Sequence, residues 1–255
     1  MLEQVRVTRY VTPLKEGGSL PGIVEAEDLG TYVAKFRGAG QGLKVLVAEV
    51  IVGEIARLLR IPTPRLVELD LAAAIAKYEA DQEVQDLLNA SIGSNLGVDF
   101  LPGSFGYDGS RPPSPQEAAD IIWLDAFTAN VDRTWANPNL LVWHGTTWTI
   151  DHGAALYFHH AWPRREPNAA NFAAQPFDAS RHVLADLAEP IEAAHERLAP
   201  MLTEAAIADA INEVPPGWLE PTTARPDAES LRAAYREHLL ARLATTSAWL
   251  PGATA

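Results

Sequence analysis

The residue pattern changes character partway along the chain, and this change limits the folds that the chain can adopt. Short β-branched segments bounded by turn residues, such as 23–26 and 31–36, dominate the first part. Helical periodicity dominates after the glycine- and proline-rich stretch 102–115. The chain has 255 residues, 47% of them hydrophobic, which suffices for one large core or two small lobes. The pattern predicts an α+β fold with two lobes, 1–102 and 103–255.

Local signals place the helices. In the first lobe one main helix is predicted over 44–60, because the prolines at 62 and 64 forbid its continuation. A second helix is predicted over 72–90. The second lobe is expected to be mainly helical, and its first helix, up to residue 129, opens with a serine, a proline and a glutamate typical of a capping box. Residues 181–187 are also predicted to be helical.

Composition excludes several classes of function. The net charge of −13 argues against a direct nucleic-acid partner, because neutralising phosphates requires clustered Lys and Arg. The chain has no cysteine, which excludes disulfides, zinc–thiolate sites and thiol catalysis. No apolar run approaches the length of a membrane span, and no apolar signal segment follows the N terminus. We therefore expect a cytoplasmic protein that does not associate with membranes.

A carboxylate and an amide lie five positions apart in Asp132-Arg-Thr-Trp-Ala-Asn137. Phosphoryl transfer needs a carboxylate beside the attacking hydroxyl, and carboxylate and amide oxygens that hold Mg²⁺. A short predicted hairpin follows, and then Asp151-His-Gly. Asp132 is therefore a candidate catalytic base, and Asn137 and Asp151 are candidate Mg²⁺ ligands. Taken alone, the 132–137 segment also fits an ordinary turn; the later Asp151 favours the site.

The first lobe contains a candidate lysine–glutamate pair. Lys35 ends the strand pattern Tyr-Val-Ala-Lys, and Glu49 lies on an apolar face of the next helix with no cation at neighbouring helical positions. A carboxylate in such a position needs a partner from elsewhere. We predict that Lys35 is this partner. The alternative is a solvated Lys35 and a tolerated edge charge at Glu49.

A flexible turn precedes the Lys35 strand. Gly17, Gly18 and Ser19 would let backbone N–H groups approach phosphate closely, which makes them a candidate phosphate loop. They do not form a Gly-x-Gly-x-x-Gly motif, and a plain hairpin turn explains them equally well.

Together these segments resemble the HipA-like kinases, relatives of the phosphatidylinositol 3/4-kinase-like branch of the protein-kinase superfamily. The resemblance covers most of residues 15–160. It implies a two-lobed protein-kinase-like fold, with an antiparallel sheet and one main helix in the N-lobe and a mainly helical C-lobe. It also implies ATP and Mg²⁺ as cofactors.

The same resemblance assigns roles to individual residues. Asp132 corresponds to the catalytic base, Asn137 and Asp151 to the metal ligands, and Lys35 to the lysine that binds the nucleotide phosphates. The hinge that contacts adenine falls at Phe100-Leu101. The acceptor implied is a hydroxyl, first of all a protein Ser or Thr, with a small-molecule or lipid hydroxyl as the alternative.

Two positions depart from the family pattern. Thr134 stands where a His often follows the catalytic Asp, and His152 replaces the usual apolar residue after Asp151. These departures keep open a second interpretation, in which the chain is a nucleotide-binding pseudokinase that acts as an interaction module.

Three further features have competing explanations. A metal hydrolase is considered because four His lie close in sequence to Asp151, but no pair has the i, i+4 helical spacing of a metalloprotease. The Trp residues between 123 and 162 suggest either a stacking surface for a ring-bearing substrate or a helical core. Arg164 and Arg165 suggest either an acidic-substrate loop or an exposed charge pair.

Overall fold

The computed structural model describes residues 1–14, 20–40, 42–77, 79–165 and 168–252. These residues group into two compact units. The first comprises Met1–Leu46 and Pro64–Pro102, and the second comprises Val47–Thr63 and Gly103–Ala255.

Within its described residues, the first unit contains five strands that form one sheet. They are β1 (Gln4–Pro13), β2 (Gly22–Ala26), β3 (Thr31–Lys35), β4 (Leu66–Leu71) and β5 (Gly93–Asp99). The strand order is β1-β2-β3-β5-β4, and a parallel pairing of β1 with β4 closes the sheet on itself. The prediction of a simple antiparallel sheet is therefore wrong in its closure and in this one pairing. Two register shifts in β1 bend the strand, which assists closure.

Two helices lie within residues 72–90, where one continuous helix was predicted. They are α2 (Ala73–Ala76) and α3 (Gln82–Ala90). The Asp81 carboxylate accepts hydrogen bonds from the backbone N–H groups of Glu83 at 2.9 Å and Val84 at 3.3 Å. Asp81 is therefore an N-cap with an extended backbone, and a continuous helix over 72–90 is excluded. Val84 and Leu88 of α3 pack in the apolar core of the closed sheet.

The helix α1 (Leu43–Leu58) was predicted as part of the first lobe, but its residues from Val47 onward group with the second unit. Its C-terminal end is built by local geometry. Arg60 adopts a left-handed conformation with φ of 61°, and the N–H of Ile61 donates to the carbonyl of Ala56 at 2.9 Å. This hydrogen bond and the left-handed residue together form a Schellman-type end, after which the proline-rich segment continues.

After residue 103, the second unit continues with a short strand and a buried helix. They are β6 (Phe105–Gly106) and α4 (Pro115–Thr128). The predicted capping box is confirmed: the Ser114 hydroxyl accepts from the backbone N–H of Glu117, and the Glu117 carboxylate accepts from that of Ser114. Strands β7 (Leu140–Trp143) and β8 (Thr146–Thr149) form the predicted hairpin and pair with β6 in the order β6-β7-β8.

The remaining helices of the second unit are α5 (Ala169–Ala173), α6 (Ile191–Leu198), α7 (Glu204–Asn212) and α8 (Ala228–Ala244). The helix predicted over 181–187 is absent from this part of the described chain, which forms turns instead. The backbone N–H of Val183 donates to the carbonyl of Arg133 at 3.1 Å, and that of Leu184 donates to Nδ1 of His182. The N–H groups of Ala185 and Leu187 donate to carbonyls only three positions back, those of His182 and Leu184, which is the hydrogen bonding of turns and not of an α-helix.

None of the helices in the described parts of the chain is both long enough and apolar enough to span a membrane.

Candidate active site

The segment that carries Asp132 begins where α4 ends. Ala129 is left-handed, with φ of 55°, and the N–H of Asn130 donates to the carbonyl of Asp125 at 2.8 Å. The Asn130 side chain then bridges the helix and the loop: its Nδ2 donates to Asp125 Oδ1 at 3.0 Å, and its Oδ1 accepts from the N–H of Asp132 at 3.3 Å. The backbone at Asp132 is thus tied to the last turn of α4.

A buried ion pair lies beneath this loop. Arg133 Nε donates to Asp125 Oδ2 at 2.6 Å, and neither side chain has any exposed surface. Burial by itself raises the pKa of Asp125, but the positive charge of Arg133 and the hydrogen bond from His182 outweigh it and hold that pKa well below its usual range. Asp125 is therefore ionised at neutral pH.

His182 completes the pair from a distant part of the sequence. Its Nε2 lies 3.0 Å from Asp125 Oδ2, and its Nδ1 accepts from the backbone N–H of Leu184 at 3.1 Å. A ring nitrogen that accepts a hydrogen bond carries no proton, so the proton resides on Nε2 and is donated to Asp125.

The other nitrogens of Arg133 reach the segment that leads to Asp151. Nη1 donates to the carbonyl of Asn139 and, at 3.3 Å, to that of Ile150. Nη2 lies 3.4 Å from Nδ1 of His152, which must be the acceptor because a guanidinium has only donors. One buried cation therefore connects the loop of the candidate base to the segment of the candidate metal ligand.

The Asp132 carboxylate is held by two amides. Asn137 Nδ2 donates to Asp132 Oδ2 at 2.7 Å, and Asn139 Nδ2 approaches the same oxygen at 3.4 Å. The structure thus brings the predicted base and the predicted amide ligand together. Because Asn137 uses its NH₂ group for this contact, its Oδ1 is the atom left for a cation.

Thr134 has a structural role in the same loop. Its N–H donates to the carbonyl of Asn137 at 3.2 Å, and the N–H of Asn137 donates back to Thr134 at 3.0 Å. These reciprocal bonds close a tight turn with Trp135 and Ala136 at its tip. The backbone of Thr134 also forms an isolated antiparallel β-bridge with that of His182. The departure from the family pattern at Thr134 is therefore compatible with an ordered loop.

The backbone around Asp151 is strained and clamped. Asp151 has φ of 56°, a left-handed value that is uncommon outside glycine. The next two N–H groups, of His152 and Gly153, donate to Oε2 and Oε1 of the buried Glu49, each at 3.0 Å. The Glu49 carboxylate was expected to pair with Lys35; these two backbone groups are among the partners that the structure gives it. Its pairing with Lys35 stays a prediction.

The other predicted nucleotide-binding residues belong to the first unit. Lys35 is the last residue of β3 and lies opposite Leu96 of β5. Phe100 donates its backbone N–H to the carbonyl of Thr31 at 3.0 Å, and Leu101 is buried. Their nucleotide-binding roles stay predictions. Gly17, Gly18 and Ser19 lie outside the described residues.

The structure also bears on the alternative interpretations of the His, Trp and Arg residues. Across the described ranges, no cluster of three or more His, Asp or Glu has the geometry of a metal site. His159 is buried, with Nδ1 2.9 Å from the hydroxyl of Tyr235. Trp123 and Trp162 are buried, and Trp135 is 59% exposed. The other two Trp of the set, at 143 and 148, are half-buried, so the set is divided between core and surface. Arg164 and Arg165 are exposed, and their substrate role stays a prediction.

Sequence reasoning missed Asp125, Arg133, Asn139 and His182. A signal for Asp125 was present, because it is a carboxylate within a helix that is apolar nearly all round, the same argument that singled out Glu49. His182 carried no comparable local signal, since its contact with Asp125 spans 57 positions.

Comparison with known proteins identifies the family. A protein-family model described as HipA-like kinase matches residues 7–251. The chain belongs to the HipA-like kinase family. The sequence resemblance is thereby confirmed, and this HipA-like kinase is a phosphotransferase enzyme. A search of the curated proteins finds no match.

Solved structures of kinases are similar in fold. The crystal structure of the Helicobacter pylori proinflammatory kinase CtkA superposes with a TM-score of 0.54 at 11% identity, covering 97% of this chain and 98% of that one. The Golgi casein kinase structure gives a TM-score of 0.45 at 11% identity, covering 96% of this chain and 72% of that one. The first similarity shows that this HipA-like kinase has a kinase-like fold of mixed α+β type.

Proposed function

We propose that this HipA-like kinase transfers the γ-phosphoryl group of ATP to the hydroxyl of a protein Ser or Thr, with Asp132 as the base. The observation that carries the proposal is the placement of Asp132. Its carboxylate accepts from Asn137 and Asn139, and its loop rests on the buried pair Asp125–Arg133. A carboxylate fixed in this way can orient an incoming hydroxyl without reorganising during the reaction.

The chemistry required of Asp132 is limited. The acceptor hydroxyl donates its hydrogen bond, and then its proton, to the carboxylate while its oxygen forms a bond to the γ-phosphorus. The bond from that phosphorus to the β–γ bridging oxygen breaks, and ADP leaves. The amides of Asn137 and Asn139 keep the carboxylate oriented toward the hydroxyl throughout.

The donor set of the loop fits Mg²⁺. Asn137 Oδ1 and the Asp151 carboxylate are hard oxygen ligands of the kind that Mg²⁺ prefers, and they would hold the ion. The ion would supply charge neutralisation for the β- and γ-phosphate oxygens. The clamp of Glu49 on the two residues after Asp151 would keep that carboxylate oriented.

The remaining contacts to ATP are proposed for the first unit. Lys35 would bind the α- and β-phosphates as a cation, and Phe100 and Leu101 would contact the adenine as its hinge segment. Backbone N–H groups of Gly17, Gly18 and Ser19 would cover the phosphates. These assignments rest on the family membership and on the motifs of the sequence.

An active enzyme explains the two departures better than a pseudokinase does. Thr134 closes the turn that presents Asn137, and His152 accepts from Arg133 within the buried network. Neither substitution removes a carboxylate or an amide that the reaction uses. Asp132, Asn137 and Asp151 are all present.

The test is transfer of label from γ-labelled ATP with Mg²⁺, using casein and a cell lysate as acceptors. We expect Asp132→Ala to lower transfer at least about 100-fold, because a general base contributes 10²- to 10⁴-fold. Nucleotide affinity should be retained. Asp186→Ala, which removes an exposed carboxylate elsewhere in the second unit, is the matched control and should behave as wild type.

The opposite result is a wild-type protein that binds ATP but transfers no more label than Asp151→Ala to either acceptor. That result would contradict the enzyme mechanism proposed for these residues. Phosphoamino-acid analysis of the labelled acceptor then separates Ser and Thr from other hydroxyls.

A further inference from the structure

One large aromatic side chain of the catalytic loop faces solvent. Trp135 is 59% exposed, although Trp123, Trp218 and Trp249 of the same unit are among the most completely buried side chains. Trp135 stands three positions after Asp132, at the tip of the turn that Thr134 and Asn137 close. An exposed indole at this point is displayed beside the carboxylate proposed to receive the acceptor hydroxyl.

The position of the Trp135 ring is fixed on one side. Its ring stacks on that of Tyr107, with centroids 6.0 Å apart and planes inclined by 29°. Gly109 approaches its edge so closely that an added Cβ would lie 3.1 Å from Cη2. Gly109 also has φ of 82°, so both the space and the backbone favour glycine here. The indole is therefore supported on one face and one edge, and the remaining surface is open.

A second exposed apolar side chain lies next to the base in the sequence. Val131 is 67% exposed and directly precedes Asp132. Exposed apolar side chains thus lie on both sides of Asp132 in the sequence. Supported, solvent-facing aromatic rings are typical of surfaces that bind apolar groups of a partner, because they offer large contact area at low entropic cost.

We propose that the open face of Trp135, supported by Tyr107, binds an apolar or aromatic side chain that lies near the phosphorylated Ser or Thr of the acceptor polypeptide. This inference rests on the proposed function, since it places the acceptor hydroxyl at Asp132. Trp135 is thus a specificity-determining residue: it selects the acceptor by its neighbouring side chain and takes no part in the bond changes.

The test is a peptide library with one central Ser or Thr in which each flanking position is fixed in turn as one amino acid, phosphorylated with γ-labelled ATP. We expect wild type to favour Phe, Tyr, Trp, Leu or Met at one or two flanking positions. Trp135→Ala should lose this preference and raise the KM for the best peptide about 10- to 100-fold. This factor corresponds to the binding free energy gained by burying one apolar side chain. The KM for ATP should not rise in parallel.

Two variants serve as controls. Trp135→Phe keeps a flat aromatic face and should retain the preference, while Met201→Ala removes an exposed apolar side chain at another place in the second unit and should leave the profile unchanged. Thermal melting of each variant shows whether it is folded.

Three outcomes would overturn the inference. They are transfer without any apolar preference, a preference that Trp135→Ala retains, and a preference only for Lys or Arg, which would indicate cation–π binding instead. In each case Asp132-dependent transfer persists, so the proposed function stands. Loss of all ATP-dependent transfer by wild type, in contrast, defeats the proposed function and this inference together.

Discussion

Arg133 donates through Nε to Asp125 at 2.6 Å, in a position where both side chains are closed to solvent. The remaining nitrogens of this guanidinium contact the carbonyls of Asn139 and Ile150. The arginine that follows the proposed base Asp132 is therefore a structural centre of the loop that carries this carboxylate.

The first prediction concerns the stability of the second unit. Asp125→Ala should lower the free energy of unfolding by about 3–5 kcal/mol, because it leaves the Arg133 charge buried and unpaired. Urea unfolding followed by tryptophan fluorescence measures this change. All seven Trp lie between 123 and 249, so their fluorescence reports on the second unit.

A matched control is Arg236→Ala, which removes an exposed pair with Glu204 at 3.9 Å. That variant should lose less than about 1 kcal/mol. A loss as small as this in Asp125→Ala would contradict a stabilising role for the buried pair.

The second prediction concerns pH. The folded pKa of Asp125 lies well below its unfolded value of about 3.9, since the pull of Arg133 and His182 exceeds the effect of burial. The ionised carboxylate therefore stabilises the fold fully above about pH 5, and this contribution shrinks as pH falls below the unfolded pKa toward the folded one. The stability gap between wild type and Asp125→Asn should consequently narrow from pH 7 to pH 3.

Urea titrations at several pH values within that range measure the gap directly. Asp186→Asn, at an exposed carboxylate, should show no comparable narrowing. If the difference in unfolding free energy between wild type and Asp125→Asn stayed constant from pH 7 to pH 3, the lowered pKa of Asp125 in the folded state would be contradicted.

The third prediction concerns Glu49. Both of its carboxylate oxygens accept backbone N–H groups next to Asp151. Glu49→Gln would turn one acceptor into a donor facing another donor, so the turn around Asp151 should lose its orientation. We expect the transfer rate at saturating ATP to fall about 10- to 100-fold and the Mg²⁺ concentration for half-maximal rate to rise, as when second-layer support of a metal ligand is removed.

Two comparisons make this result specific. Glu54→Gln changes another carboxylate of α1, one that pairs with Arg57 at 3.0 Å, and should leave the Mg²⁺ requirement unchanged. Lys35→Met should raise the KM for ATP. If Glu49→Gln reproduces the Lys35→Met effect with no change in the Mg²⁺ requirement, Glu49 acts through Lys35 rather than through the turn.

Local sequence chemistry predicted much of the second unit and part of the site. The capping box of Ser114 and Glu117 and the hairpin before Asp151 each depend on residues that are close in sequence, and both are present. The contact between Asp132 and Asn137 also follows from a short loop. Contacts between residues close in sequence have few alternative partners, so local patterns predict them well.

Long-range relationships were the ones that sequence reasoning missed. The closure of the first sheet requires β1 to pair in parallel with β4, and nothing in either strand specifies that partner. Turns stand in place of the helix predicted over 181–187, and the backbone N–H of Val183 there donates to the carbonyl of Arg133, a residue distant in sequence. Such a contact becomes visible only once the chain is folded.

The Asp132 side chain is half-buried, whereas the pair Arg133–Asp125 beneath it lies wholly in the interior and does not include that carboxylate. If Asp132 is the base, as proposed, its loss would abolish phosphoryl transfer while the buried pair stayed in place. A homologous chain could therefore lose catalysis by a single substitution and still fold. Its intact surface could then evolve to bind partners only.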